Sequence, residues 1–234
     1  MVHLLVAELL LEKMKDENAF AYMDEGLFIA GNICPDGIMA RKGYRRYMKL
    51  HSHFRDGIPD GSFDMPGMLP IFHKRMYDFW REHRLDEEKM PGLYLGYITH
   101  MMTDEAFVLE ERPRFFEVIS RIGLTKWDKE TFVHFNRETD LVDFELIRRY
   151  DCLQHSRKIL AGIAPYEIKG MITQEELTDS RQWILHHFFE EQHSEELPVF
   201  LKVETMESFA GSVALRIHER LLCKPYLTGK KNSQ

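Results

Sequence analysis

Apolar residues recur along this chain at the three-to-four-residue spacing of helices and almost nowhere in the alternation of strands. Residues 2–15 open the pattern, with Leu4, Leu5, Leu9 and Leu11 on one side, and residues 18–31 carry it on until GNICPDG breaks it with glycine and proline. The stretch DGIPDGSFDMPGMLP, residues 56–70, holds three prolines and three glycines, so it reads as a loop. Amphipathic helical patterns follow at 71–84 and 91–110, the second with Pro91 near its first turn. Four more are predicted at 128–137, 140–163, 173–193 and 203–222. At the start of the third of these, Thr173 is followed three residues on by Glu176, the spacing of a capping box. The sum is an all-α, single-domain, multi-helix bundle over 1–227, with the polar tail TGKKNSQ, 228–234, read as disordered.

Composition narrows this reading. With 44% hydrophobic residues in 234, the chain can bury one sizeable core. Thirty-one basic residues against 38 acidic ones give a net charge of -7, so no nucleic-acid partner is expected. Cys34, Cys152 and Cys223 are odd in number and never form a C-x-x-C pair, which argues against a disulfide framework or a cysteine zinc site and fits a reducing, cytoplasmic setting. The first twenty residues lack the basic start and cleavage site of a signal peptide, and no apolar run reaches the length of a membrane span.

The candidate chemistry lies in histidines and aspartates. In YLGYITHMMTDEAF, residues 94–107, His100 and Asp104 are one turn apart on an otherwise apolar helix, close enough to reach one cation. By itself such a pair reads better as a histidine bonded to its own i+4 carboxylate. Asp36 sits in GNICPDG, where a turn or cap role would also explain it; His51 and His53 flank Ser52 in KLHSHFRD; His3 starts the first helix. Taken together, these residues supply imidazole and carboxylate ligands from four segments, as a two-metal site inside a helical bundle requires.

The blocks VHLLVAELL, FIAGNICPDGI, KLHSHFRD and YLGYITHMMTDEAF, in this order within residues 2–107, resemble the zinc-dependent phospholipase C family, related to bacterial phospholipase C and the S1/P1 nucleases. The resemblance covers nearly half of the chain. It implies an all-α fold and makes His3, Asp36, His53, His100 and Asp104 metal ligands, with Asp104 bridging two ions. His53 is preferred over His51 because the family's block reads histidine then phenylalanine, as His53 and Phe54 do; His51 is the fallback. The secreted relatives bind three zincs, using a processed N-terminus and further downstream histidines. Here EAFVLEERP follows Asp104 without a histidine, and the pairs His186/Glu190 and His187/Glu191 read better as a polar helix face than as a third site.

The implied chemistry is phosphoester hydrolysis by two zinc ions, with iron or another divalent metal as the variant, and Asp36 as general base. Arg41 and Arg45, from the cluster RKGYRR that also holds Lys42 and Arg46, are candidates for binding the substrate phosphate, whether in a phospholipid head group or a small soluble phosphoester. An HD-type phosphohydrolase lacks its His-Asp dipeptide here, and a di-iron bundle lacks a second E-x-x-H beside Glu190–His193. The rival of another class is a non-catalytic helical protein stabilised by metal.

Overall fold

The computed structural model describes residues 1–15, 17–58, 62–63 and 65–223. Among these there is no strand, only one bridge between Ile168 and Ile172. The helices are α1 (Val2–Met14), α2 (Glu25–Gly31), α3 (Cys34–Gly37), α4 (Arg46–Ser52), α5 (Met68–Glu82), α6 (Arg84–Glu87), α7 (Leu93–Ser120), α8 (Lys129–Arg149), α9 (Cys152–Gly162), α10 (Gln174–Leu185) and α11 (Val203–Cys223). The tail at 228–234 lies outside the described residues, and no helix among them is long and apolar enough to cross a membrane.

Helix α1 is the centre of the bundle. Leu4, Leu5, Val6, Ala7, Leu10, Leu11 and Met14 are all buried, so the helix is apolar on nearly every side, as an internal helix must be. It packs on α11, α9, α2 and α7. Each buried leucine contributes roughly 2 kcal/mol by removal from water.

Helices α2 and α7 cross where both lack a side chain. A Cβ on Gly31 would lie 2.1 Å from Leu93 O, and one on Gly96 would lie 2.2 Å from Phe28 O. These two glycines let the backbones touch, which fixes where the next turn of α7, bearing His100, meets the end of α2.

Several boundaries differ from the sequence pattern, each for a packing reason. Helix α5 starts at Met68, inside the predicted loop, because Pro70 falls in the first turn, where a missing N–H breaks no bond. Pro91 precedes α7, which is capped by Gly92 at φ 108°. The helix then runs through Pro113 to Ser120, ten residues past the predicted end, because buried Glu111, Phe115 and Ile119 continue its inner stripe. The predicted break near residue 138 is absent: α8 spans it, carried by Leu141, Val142 and Leu146, and the chain turns at Tyr150 instead. The expected capping box of Thr173 and Glu176 is formed, whereas after Leu185 the helix widens into a π turn, His186–Glu190. Cys34 and Cys152 are free thiols; the side chain of Cys223 is outside the described residues.

Candidate metal centre

Four segments bring their polar residues to one place. His3 lies in the first turn of α1, Asp36 in the single turn of α3, His53 at the C-cap of α4, and His100 and Asp104 on α7. His3 Nε2 is 3.0 Å from Asp104 Oδ1, His53 Nε2 is 3.6 Å and His100 Nε2 4.0 Å from Asp104 Oδ2, and His53 Nε2 is 3.2 Å from Asp36 Oδ1. The His3 ring stacks on His100 at 3.9 Å, and His53 meets His100 edge-on at 5.4 Å. Donor atoms of His3, His100 and Asp104 all lie within 4.8 Å of one another, and so do those of Asp36, His53 and His100.

The backbone at His53 is shaped by the residue after it. Phe54 adopts φ 56°, a left-handed conformation uncommon outside glycine. Its N–H bonds to His51 O and that of Arg55 to Leu50 O, which together close α4 in a Schellman cap. The buried Phe54 ring, packed on Phe79 and Tyr97, holds this strained turn in place. His51 therefore points away from the cluster, is exposed, and bonds to Asp56 at 2.6 Å.

Two partners set the state of the buried imidazoles. His100 Nδ1 donates to Asn32 O at 2.7 Å, so its Nε2 carries the lone pair. Ser52 Oγ donates to Lys49 O and lies 2.9 Å from His53 Nδ1; with its proton so used, the hydroxyl accepts from Nδ1 and leaves His53 Nε2 as an acceptor too. Both Nε2 atoms are buried and have no hydrogen-bond partner among the described residues, whereas Asp36 Oδ1 is ion-paired with Lys49. Burial, and then the neighbouring His3, push the His100 imidazolium down to about 3, so it is neutral. Such a neutral nitrogen with its opposite N–H fixed is the form in which histidine binds metal.

The carboxylates are ionised. Burial raises the Asp104 carboxyl, but the hydrogen bond from His3 and the surrounding imidazoles outweigh it and hold it well below the usual range. Asp36 is opposed by burial in the same way and held low by Lys49, whose Nζ is 2.6 Å from its Oδ1. Held so, Asp36 presents an ionised carboxylate to the imidazoles, as a metal ligand or an adjacent proton acceptor does.

A cavity of about 590 Å³ opens on the cluster, lined by His3, Lys49, His53 and Asp104 at its base. Phe107, Phe132, Phe135 and Met206 form an apolar wall, and Arg46, Arg55 and Arg112 reach the same space. The arginines expected to hold phosphate lie elsewhere. Arg41 is engaged with both oxygens of Glu176, at 2.5 and 3.1 Å, and Arg45 with backbone carbonyls of Gly43 and Tyr44. They share RKGYRR with Arg46, but Arg41 precedes the turn at Gly43 and Arg45 is the extended residue before α4, whose first residue is Arg46. Neither of the two pairs considered for a third ion joins the centre: the π turn brings His186 onto Glu191 at 3.1 Å rather than Glu190, and His187 shares that carboxylate at 3.0 Å.

Sequence reasoning did not single out Asn32, Ser52 or Lys49. The available signal was positional: Lys49 is four residues before His53 on one helix, and Ser52 immediately precedes it. No protein-family model, curated protein or solved structure matches the chain.

Proposed function

We propose that this protein is a metal-dependent hydrolase of phosphoester bonds, with zinc as the metal that its three imidazoles and two carboxylates suit best and iron as the variant. One observation carries the reading: the buried Nε2 atoms of His53 and His100 converge on the Asp36 and Asp104 carboxylates without hydrogen-bond partners among the described residues. Leaving polar atoms so stranded costs about 1–3 kcal/mol each unless a ligand satisfies them. The order and spacing of the four blocks that resemble zinc-dependent phospholipase C support the same assignment.

His3, Asp36, His53, His100 and Asp104 hold the metal, while Asn32 and Ser52 lock the tautomers of His100 and His53. When bound, a divalent ion supplies Lewis-acid polarisation of a phosphoryl oxygen and a water acidified towards neutrality. Arg46, Arg55 and Arg112 draw a phosphoryl anion into the cavity, and the wall of Phe107, Phe132 and Phe135 receives the organic part of the ester and excludes water. The cavity that reaches His3, His53 and Asp104 favours a catalytic centre over a closed structural one.

Elemental analysis of protein purified without added metal tests the first half: metal should be present in the native chain and lost in His100→Ala. Turnover of phosphomonoesters, phosphodiesters and phospholipid vesicles tests the second, and Asp36→Asn should abolish it while helical content is kept. Metal without turnover on all three classes would replace hydrolysis by a metal-stabilised structural role. A metal-free native protein would remove the proposal altogether.

A further inference from the structure

Lys49 opens the block KLHSHFRD but is not among the expected ligands, and its ammonium lies beside the ligand cluster. It projects from the same face of α4 as His53, one turn earlier, and its Nζ is 2.6 Å from Asp36 Oδ1. It lines the cavity beside His3, His53 and Asp104, open to cavity water but walled by protein.

The cluster does not hold two independent sets of three donors. The two trios, His3/His100/Asp104 and Asp36/His53/His100, share His100, and that imidazole has one nitrogen to give because Nδ1 is held by Asn32 O. Whichever trio takes His100 Nε2 leaves the other with two residues of its own, and a second ion would then have to share the Asp104 carboxylate, whose Oδ2 is 3.6 Å from His53 Nε2. Charge points the same way. Against the two carboxylates and the ammonium, one divalent ion brings the cluster to about +1 and two would bring it to about +3, a strongly repulsive group of cations within a few ångströms.

We propose that Lys49 takes the place of a second cation: the centre binds one divalent ion, and the Lys49 ammonium is the partner electrophile that holds a phosphoryl oxygen of the substrate. This rests on the metal-dependent reading above. Asp36 has two functions in this arrangement, as a metal ligand and as the anchor that keeps the Lys49 stem extended along the cavity floor. Lysine serves as a point charge for a phosphoryl oxygen where a fork-shaped donor is not needed.

The test uses the full chain saturated with zinc and desalted. Zinc per chain is read by plasma mass spectrometry, and binding of inorganic phosphate by titration calorimetry, in the native protein, Lys49→Met and Lys49→Arg. The native chain should hold about one equivalent, and Lys49→Met should keep that ion while binding phosphate at least tenfold more weakly, about the loss expected for one charge-assisted contact. Lys49→Arg should restore phosphate binding to within about threefold, because the charge is kept. About two equivalents in the native chain would overturn the inference and leave the metal reading intact. Unchanged phosphate affinity in a folded Lys49→Met would overturn it as well. No zinc in the native chain would overturn both. If Lys49→Met fails to fold by circular dichroism, the native stoichiometry and Lys49→Gln decide the matter in the same way.

Discussion

Replacing Gly96 by alanine should destabilise the protein, although glycine to alanine inside a helix ordinarily does the reverse. In α7 the new methyl group would stand 2.2 Å from Phe28 O, 2.9 Å from Gly31 Cα and 3.1 Å from Asn32 N, all of them backbone atoms. Ordinary contact begins at 3.4 Å, so α2 and α7 must part by about 1.2 Å. No rotamer change relieves that clash. Overpacking costs up to about 3 kcal/mol when flexible side chains give way and more when backbone must, while the better helix propensity of alanine returns about 1 kcal/mol. The net loss is about 3 kcal/mol, which for a chain of this size lowers Tm by roughly 6–12 °C. Thermal unfolding followed by circular dichroism at 222 nm measures it. Gly211→Ala is the control, since it lies within α11 and a Cβ there meets nothing within 4 Å. It should raise Tm by roughly 2–4 °C, from about 1 kcal/mol of propensity. A Gly96→Ala protein as stable as the native chain would refute the close crossing and, with it, the placement of Asn32 O against His100.

Glu87 accepts hydrogen bonds from Gly92 N at 2.7 Å and Tyr94 N at 2.9 Å at the start of α7, and burial pushes its carboxyl up to about 7 in spite of them. The folded state therefore holds a proton that the unfolded chain gives up above about 4.5. The resulting contribution, on the order of 3 kcal/mol, is complete below pH 4.5 and is lost as pH rises to about 7. Denaturant titrations at pH 5 and pH 7.5 should show this loss in the native protein and not in Glu87→Gln; equal pH dependence would count against it. Phe54→Gly and Phe54→Ala both lose the ring, but only alanine keeps the strain of φ 56°, so the glycine variant should be the more stable by about 1 kcal/mol in urea unfolding. The opposite order would mean that the turn is not left-handed. Glu138 on α8 accepts from Phe200 N at 2.5 Å and Leu201 N at 3.0 Å, so Glu138→Ala should cost about 2–3 kcal/mol and speed proteolytic cutting near residue 200.

Helix type was legible along most of the chain because a 3.6-residue apolar stripe is a property of the chain itself. The capping box at Thr173 was equally local: both of its hydrogen bonds join residues three apart. Boundaries were less so. The extension of α7 past Pro113 depends on Phe115 and Ile119 finding a core to enter, and the continuity of α8 across residue 138 depends on Glu138 meeting a segment sixty residues away. The candidate ligands His3, Asp36, His53, His100 and Asp104 were nameable from the sequence because their blocks are distinctive in order and spacing.

What only the tertiary structure decided is how those ligands relate. His53, already preferred from the sequence, meets Asp36 while His51 turns to Asp56, beside a left-handed turn at Phe54 that no propensity would assign to phenylalanine. The fixing of His100 Nδ1 by Asn32 O requires two helices to cross at paired glycines, and the placement of Lys49 on Asp36 requires α4 to lie beside α3. Arg41 and Arg45 look equivalent to Arg46 in RKGYRR, yet Arg41 is paired with Glu176 and Arg45 with local carbonyls, while Arg46, the first residue of α4, lines the cavity. The sequence by itself determined which residues can bear charge or lone pairs and which faces must be buried, since both are set by side-chain chemistry and local period. Which nitrogen stays unpartnered and which cation meets which carboxylate was left to the packing, because each depends on distances between segments that are far apart along the chain.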